Sequence, residues 1–270
     1  MTAALRYLAA DVREMVVEQL QYRELLIRMT ERDLRVRYKQ SVMGVEWALG
    51  VPLVNTLLFS VIFTRVAPVA TDVPYPLFAV VGLVAWNMFA GSLRSAVVSL
   101  TSNATLVSKV YFPRELFPIS GVVVACVDGA IAATLVLALM AWYGVGLTPA
   151  ILFLPVVVLV QIVFTIAVSL ILAMGNLFYR DVKYLIEVVL TVWMFATAVV
   201  FPIAPIGGRL GVMLRLNPMT SIIEAYRTVL FRGELPELAH FAGTAGAAIA
   251  LMACAWIVFH RAEFRFAERV

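Results

Sequence analysis

Long apolar runs separated by shorter polar stretches dominate the sequence from residue 45 onward. A helix rises about 1.5 Å per residue, so crossing a hydrocarbon core of about 30 Å takes about 20 apolar residues. Six runs meet this length within the tolerance of tilt, and none alternates with the period of a strand. We therefore predict an all-α polytopic membrane protein with six transmembrane helices. The runs are Val45–Thr64, Leu77–Leu93, Phe117–Trp142, Ile151–Asn176, Leu185–Phe201 and Phe241–Phe259.

The segment before the first run has a different pattern. Apolar residues recur at near-helical spacing from Leu5 to Met29, with charges on the remaining faces. This pattern predicts an amphipathic helix that lies on the membrane. Thr30-Glu31-Arg32-Asp33 fits a capping box that opens a second helix. We therefore divide the chain into cytoplasmic interface helices, residues 1–44, and a permease domain, residues 45–270.

The segment Pro202–Pro236 is too polar for a span and too apolar for an ordinary loop. Asn217-Pro218 divides it, because Asn is a favoured helix cap and Pro a favoured first helical residue. We predict one short helix before Asn217 and another through Met219–Phe231. Each is about half a bilayer long, which predicts a re-entrant pair at residues 202–232 that borders a pathway.

Composition and charge agree with a membrane protein. Hydrophobic residues make up 63% of the 270 residues, charged residues 14%, and the mean hydropathy is +0.95. A soluble domain of this size has too little interior to bury so much apolar surface. With a cytoplasmic N-terminus, sixteen Lys and Arg residues fall on the cytoplasmic side of the membrane and five on the opposite side. The positive-inside rule then predicts that both termini are cytoplasmic.

Motifs for catalysis are missing from the sequence. None of the three lysines, which follow Tyr38, Ser108 and Val182, stands in the Gly-Lys-Ser/Thr of a P-loop. We therefore expect no enzyme activity in this chain. If ATP hydrolysis drives the protein, we expect it to take place in another subunit. His240 and His260 lie at opposite ends of the last run, so no metal site is expected.

The acidic residues within the runs leave a choice open. Asp128 lies within the third run, where a charge is costly, and it is either functional or a packing hydrogen-bond partner. Glu187 lies four residues after Lys183, a spacing that favours a local ion pair.

Three groups of residues are candidate contact sites. The basic run Arg32–Lys39 either anchors the chain to anionic lipid or receives an anionic, lipid-linked substrate through Arg35, Arg37 and Lys39. The aromatic and charged run Lys109–Arg114 is either a contact surface for a partner or an interfacial helix. Residues at helical spacing on the first and fifth runs either pack within the protein or line a passage for sugars. They are Asn55, Phe59, Phe63, Trp193, Thr197 and Phe201.

Several ordered motifs resemble one known family. They are Arg32 to Ser41 followed by Gly44, Trp47 and Pro52; Pro74-Tyr75-Pro76; Lys109-Val110-Tyr111-Phe112-Pro113-Arg114; Tyr179 to Tyr184; and Leu216-Asn217-Pro218-Met219. As an ordered set, these motifs resemble polysaccharide-exporting ABC transporter permeases of the type-2 exporter superfamily. The resemblance is closest to O-antigen export permeases, and permeases that export teichoic acid or capsule are near relatives.

The resemblance implies a homodimer in the bacterial inner membrane with two nucleotide-binding ATPase subunits, which bind the ATP and Mg. It implies export of an undecaprenyl-pyrophosphate-linked polysaccharide. No nucleic-acid partner is expected, because the basic residues lie beside apolar runs. By the same resemblance, Lys109, Tyr111, Phe112 and Arg114, together with Arg32, couple to the ATPase, and Asn217, Pro218, Glu224 and Tyr226 belong to the outer gate. A drug or lipid exporter of the same superfamily is the alternative.

Overall fold

Helices form every regular element in the part of the chain that the computed structural model describes, which is residues 19, 21–39, 44–109, 112–203, 207–263 and 266. The α-helices of these residues are α1 Arg23–Lys39, α2 Trp47–Val61, α3 Tyr75–Ser102, α4 Ala104–Lys109, α5 Leu116–Trp142, α6 Leu154–Phe178, α7 Val182–Phe195, α8 Gly208–Leu216, α9 Pro218–Arg227 and α10 Leu238–Ala262. Short 3-10 helices, Gly44–Glu46 and Pro149–Phe153, lead into α2 and α6. The π-helical turns Ile62–Val66 and Thr228–Arg232 extend α2 and α9. The predicted all-α class is confirmed.

Five helical stretches of the described residues are long and apolar enough to cross a membrane, and they match five of the six predicted spans. They are Trp47–Val66, Tyr75–Ser102, Leu116–Trp142, Pro149–Phe178 and Leu238–Ala262. The remaining predicted span, Leu185–Phe201, contains α7, which has 14 residues. At about 1.5 Å per residue, α7 is about 21 Å long and too short to cross alone. The six-span count therefore stays a prediction.

An irregular segment, Ala196–Val200, continues α7 along the neighbouring helix α3. α3 and α7 with its extension run antiparallel. Glu187 of α7 binds Arg94 of α3, and the Val200 carbonyl accepts a hydrogen bond from Tyr75, near the start of α3, at 2.6 Å. Between these two contacts α3 rises about 28 Å. The helix and its extension thus follow α3 over about one hydrocarbon thickness.

Helix α3 is the central element of the subunit, and most of its side chains are buried. It packs closely on α5, where a Cβ atom at Gly129 would lie 3.2 Å from the Met88 side chain of α3, a tight contact. Such small residues allow membrane helices to approach each other closely. The fully buried Gln161 of α6 donates a hydrogen bond to the Ala85 carbonyl of α3 at 2.8 Å. α3 is therefore held by both shape and hydrogen bonds.

Two predicted helix boundaries are wrong. α1 continues through Thr30, whose hydroxyl donates to the Leu26 carbonyl at 2.9 Å, so no second helix begins there. α3 continues past Leu93 to Ser102, because Ser99 and Ser102 donate to carbonyls of their own helix and thus fit a helical interior. Most of the predicted amphipathic segment lies outside the described residues.

Candidate functional site

Asp128 of α5 holds the interface helix α1 against the transmembrane helices. Its carboxylate accepts hydrogen bonds from the Arg37 guanidinium and from the Tyr38 hydroxyl. Burial, strengthened by the neighbouring carboxylate, raises the pKa of Tyr38 to about 12, so the hydroxyl keeps its proton and remains a donor. A carboxylate within a membrane segment needs such partners, because leaving it unpaired is costly. The sequence alone left this role of Asp128 open.

A cavity of about 410 Å³ opens beside this ion pair, between α1, α2, α3 and α5. Its polar lining includes Arg37, Asp128, Asn87 and Arg94, and Trp47 contributes an apolar wall. Two guanidinium groups thus border one space. Arginine is the residue best suited to bind carboxylate or phosphate groups through paired hydrogen bonds.

Arg94 joins α3 to α7 through Glu187. Its Nε atom lies 3.1 Å and 3.0 Å from the two carboxylate oxygens of Glu187, and both side chains are about half exposed. The predicted pair between Glu187 and Lys183 is therefore wrong. The Lys183 ammonium instead lies 4.8 Å from the centre of the Tyr184 ring. Glu187 lies on the side of α7 that packs on α3, which explains the different partner.

The basic residues of α1 lie on two faces. Arg35 and Lys39 border a surface depression of about 490 Å³ that Arg28 and Arg32 also line. Arg37 faces the other way, toward Asp128. Residues two positions apart on a helix point in nearly opposite directions, whereas residues four apart share a face. The structure therefore brings Arg35 and Lys39 together and separates Arg37 from both.

The predicted coupling residues differ in exposure. Lys109 is exposed at the end of α4, and Arg32 donates to the Asn103 side chain at 3.2 Å. Phe112 is buried, with its ring centre 5.4 Å from that of Phe117. Tyr111 lies outside the described residues.

Arg114, the last coupling residue, is bound to the segment that follows α10. Its guanidinium donates to the Glu263 carbonyl, and its backbone N–H donates to the Glu263 carboxylate at 3.1 Å. His260 Nδ1 lies 3.4 Å from Glu115, which is 1% exposed, and 3.7 Å from Glu263. Burial and the charge of Glu115 raise the pKa of Glu263 to about 7.

Sequence reasoning missed this cluster of Arg114, Glu115, His260 and Glu263, because about 145 residues separate its two halves along the chain. One oxygen or nitrogen atom each from Glu115, His260 and Glu263 lies within 4.8 Å of the others, a spacing that could hold a metal ion. Arg114 already supplies a positive charge to Glu263, which weakens the case for a bound cation.

At the other end of α3, Asn217 connects the short helices to α7. Its Oδ1 atom accepts from the Met219 backbone N–H at 3.1 Å, which confirms the predicted cap, and from Trp193 Nε1 at 3.2 Å. Its Nδ2 atom donates to the Ala196 carbonyl at 2.9 Å and to Thr197 Oγ1 at 2.8 Å. One side chain thus fixes both the start of α9 and the end of α7.

Arg227, which the sequence did not single out, is 4% exposed and completes this junction. Its guanidinium donates to the Ala198 carbonyl at 2.6 Å and the Val199 carbonyl at 2.7 Å, and it lies 3.5 Å from the centre of the Phe78 ring. It also donates to Glu224 at 2.9 Å, which gives that predicted gate residue a structural partner. Pro218 begins α9, and Tyr226 is half-buried against the apolar core.

The proposed lining residues lie partly within the subunit core. Phe59 and Phe63 stack with ring centres 6.3 Å apart, and Asn55, on the same helix, is half-buried. Trp193 meets the buried Phe89 edge-on, with ring centres 5.1 Å apart. Two lining candidates follow at the end of α7: Thr197 has no exposed surface, and Phe201 is half-buried.

Comparison with known proteins identifies the class of this architecture. Residues 24–231 match the sequence pattern of the ABC-2 type transporter family. The chain belongs to this family. The match begins in α1 and ends in the π-helical turn after α9, so it includes both the Asp128 ion pair and the Arg227 junction.

Curated relatives cover nearly the whole chain. An O-antigen export system permease protein RfbA from Myxococcus xanthus is 33% identical over 259 residues, which is 95% of this chain and 99% of the relative. Two proteins of the same name from Klebsiella pneumoniae are 29% and 28% identical, each over 91% of this chain and 94% of the relative. This ABC-2 chain is thus a transport permease component and a multi-pass membrane protein.

Proposed function

We propose that this ABC-2 chain is the permease subunit of an ATP-driven exporter of lipid-linked, O-antigen-like polysaccharide. The observation that carries the proposal is the similarity to three O-antigen export permeases along more than nine tenths of the chain. The exporter is a homodimer in the inner membrane. Both of its termini are cytoplasmic, which the distribution of basic residues favours. ATP and Mg bind to two separate ATPase subunits rather than to this chain.

The cavity beside Asp128 is the proposed entrance for the substrate head group. In this proposal, the head group is an undecaprenyl pyrophosphate, whose oxygens match the hydrogen-bond donors of Arg37 and Arg94. Both guanidiniums are partly exposed and already paired with a carboxylate, so an arriving pyrophosphate competes with Asp128 and Glu187 for them. Arg35 and Lys39, on the outer face of α1, attract the anion to the surface.

The proposed coupling surface lies on the same side of the subunit. Movement of the ATPase subunits acts on α1 and on the segment around Lys109–Arg114. Arg114 passes this movement to the end of α10, because its guanidinium and its backbone both bind Glu263. The ion pair between Arg37 and Asp128 connects α1 to α5 in the same way. The transmembrane helices then move toward the outer helices α8 and α9.

Complementation of an O-antigen-producing strain that lacks its own permease tests the function. Expression of this chain with its ATPase should restore surface polysaccharide, as measured on gels of extracted lipopolysaccharide. Arg94→Gln should lower surface polysaccharide at least tenfold and leave lipid-linked polysaccharide inside the cell. Lys183→Gln is the matched control, since it removes an exposed charge of the same helix pair. Equal export by both variants would contradict the proposed entrance, and no export by the unchanged chain would contradict the function.

The coupling proposal has its own test in the purified complex. Tyr111→Ala with Arg114→Ala should leave ATP hydrolysis within about threefold of the unchanged complex and abolish export. Arg65→Ala, at an exposed position of the turn that extends α2 and away from this surface, serves as the control. Retained hydrolysis shows that the complex has assembled, so export at the normal rate by the double variant would exclude a coupling role for these residues.

A further inference from the structure

A cavity of about 950 Å³ lies at the end of α3 opposite the proposed entrance. It lies between the loop before α3, the short helices α8 and α9, the turn Thr228–Arg232 and the start of α10. Phe78 of α3 lines it, whereas Val84 to Arg94 of the same helix contribute to the entrance cavity, and the two linings share no residue. The two cavities are therefore separate sites on one subunit.

The charges around this outer cavity are mixed in sign. The carboxylates of Asp72, Glu224, Glu234 and Glu237 line it, and so do three arginine side chains, among them Arg232. Arg232 binds Asp72 at 2.6 Å, which joins the loop before α3 to the turn after α9 and closes one wall. A phosphate or another anion would face four carboxylates here, which disfavours it.

Hydroxyl groups fit this mixture better than anions do. A hydroxyl donates one hydrogen bond and accepts two, so it can bind to a carboxylate and to a guanidinium at the same time. Phe78, Phe231 and Phe241 add aromatic surface to the lining. Apolar and aromatic walls with a few polar groups are typical of pockets for small polar ligands, and sugar rings have both apolar faces and polar edges.

Two buried polar atoms of the cavity lining lack a hydrogen-bond partner among the described residues. Thr220 is 1% exposed and its Oγ1 atom is unpaired, and the same is true of Nε of Arg227, which is 4% exposed. Burying a polar group without a partner is unfavourable. These atoms are therefore available to a ligand that brings its own donors and acceptors.

We propose that this outer cavity binds neutral sugar units of the exported polysaccharide as they leave the permease. The inference rests on the proposed export function and adds to it a sugar subsite within each subunit. Thr220 and Arg227 lie at the buried side of the subsite, and the carboxylates of Glu234 and Glu237 lie at its exposed side.

Binding of lipid-free polysaccharide tests the inference. The probe is the O-polysaccharide of the complementing strain, released from its lipid by mild acid, and the protein is the full exporter complex in lipid nanodiscs. Thr220→Val combined with Glu234→Gln should weaken binding at least tenfold. Thr191→Val combined with Glu46→Gln is the matched control, because these exposed residues lie outside the cavity. The control should bind within twofold of the unchanged complex.

Both cavity substitutions should leave folding intact, since Thr220→Val removes an unpaired hydroxyl and Glu234 is exposed. Unchanged polysaccharide binding by the cavity variant, in a complex that still exports, would overturn the subsite and leave the export function standing. Displacement of the bound polysaccharide by vesicles of phosphatidylglycerol would also overturn it, in favour of an anionic lipid. If the unchanged complex restores no surface polysaccharide in cells, the export function fails and the subsite fails with it.

Discussion

A methyl group at Gly82 would collide with the segment that continues α7. A Cβ atom built at this position lies 2.2 Å from the Val199 carbonyl oxygen and 2.7 Å from the Arg227 guanidinium. Ordinary contacts begin at 3.4 Å, so Gly82→Ala has to push the carbonyl away by about 1 Å. The hydrogen bond from Arg227 to Val199, which is 2.7 Å long, then breaks.

The expected cost of Gly82→Ala follows from these contacts. Overpacking of a tight interior costs about 1–3 kcal/mol, and loss of a hydrogen bond to a charged group costs about 1.5–3 kcal/mol. The better helix propensity of alanine returns about 1 kcal/mol. The net loss is about 3 kcal/mol, which at about 2–4 °C per kcal/mol lowers the Tm by about 6–12 °C.

Thermal unfolding of the purified permease, followed by tryptophan fluorescence, measures this loss. Gly91→Ala is the matched control, since Gly91 is in the same helix and a methyl group there would have no atom within 4 Å among the described residues. It should keep or raise the Tm. Gly82→Ala should also lower the free energy of unfolding by less when Arg227→Met is already present, because the two residues share the Val199 contact. A Gly82→Ala protein as stable as the Gly91→Ala protein would refute the reasoning.

Three further predictions concern the junction, the inner cluster and the passage. Asn217→Ala should cost about 2 kcal/mol, measured by thermal unfolding, and Asn217→Asp should cost less because it keeps the cap. Glu263 has a folded pKa of about 7, above its ordinary 4.5, so folding takes up a proton between these values. Stability should therefore fall by about 2 kcal/mol from pH 5 to pH 8, and Glu263→Gln should remove this fall; an unchanged slope would contradict the raised pKa. Cysteines at Phe59 and Phe201 should react with a polar thiol reagent during export, whereas a cysteine at the fully buried Thr197 should not; protection at both aromatic positions would exclude them from the passage.

The positions of the long helices could be predicted from the sequence because they depend on local apolar content. Any 20-residue apolar run has to place its backbone hydrogen bonds within a helix in lipid, whatever its neighbours are. The cap at Asn217 was predictable for a similar reason, since its partner Met219 is two residues away. These parts of the fold need no knowledge of distant contacts.

The end of α7 and the partners of the charged residues depend on distant contacts. α7 stops at Phe195 although the apolar run continues to Phe201. The reason is that Asn217, just before α9, and Arg227, within α9, donate hydrogen bonds to the carbonyls of Ala196 and Ala198, which follow α7. Glu187 pairs with Arg94, which is 93 positions away, rather than with Lys183 in its own helix. Sequence spacing can propose a partner within one helix, but it does not tell which face of that helix meets another.

The interior ion pairs that pack around α3 in the described part of the permease lie at two levels of this helix. Arg37 with Asp128 lies level with the middle of α3, where Gly129 contacts Met88, and Arg227 with Glu224 lies near its start, beside Phe78. On another face, the middle of α3 packs through aromatic rings, such as Phe89, which contacts both α6 and α7. A paired charge can exchange its partner for a substrate group whose charge has the same sign as that partner. A close-packed ring has no alternative contact of equal energy. The surroundings of these ion pairs are therefore the parts suited to binding and movement, and the aromatic face of α3 is the part suited to holding the helices together while they occur.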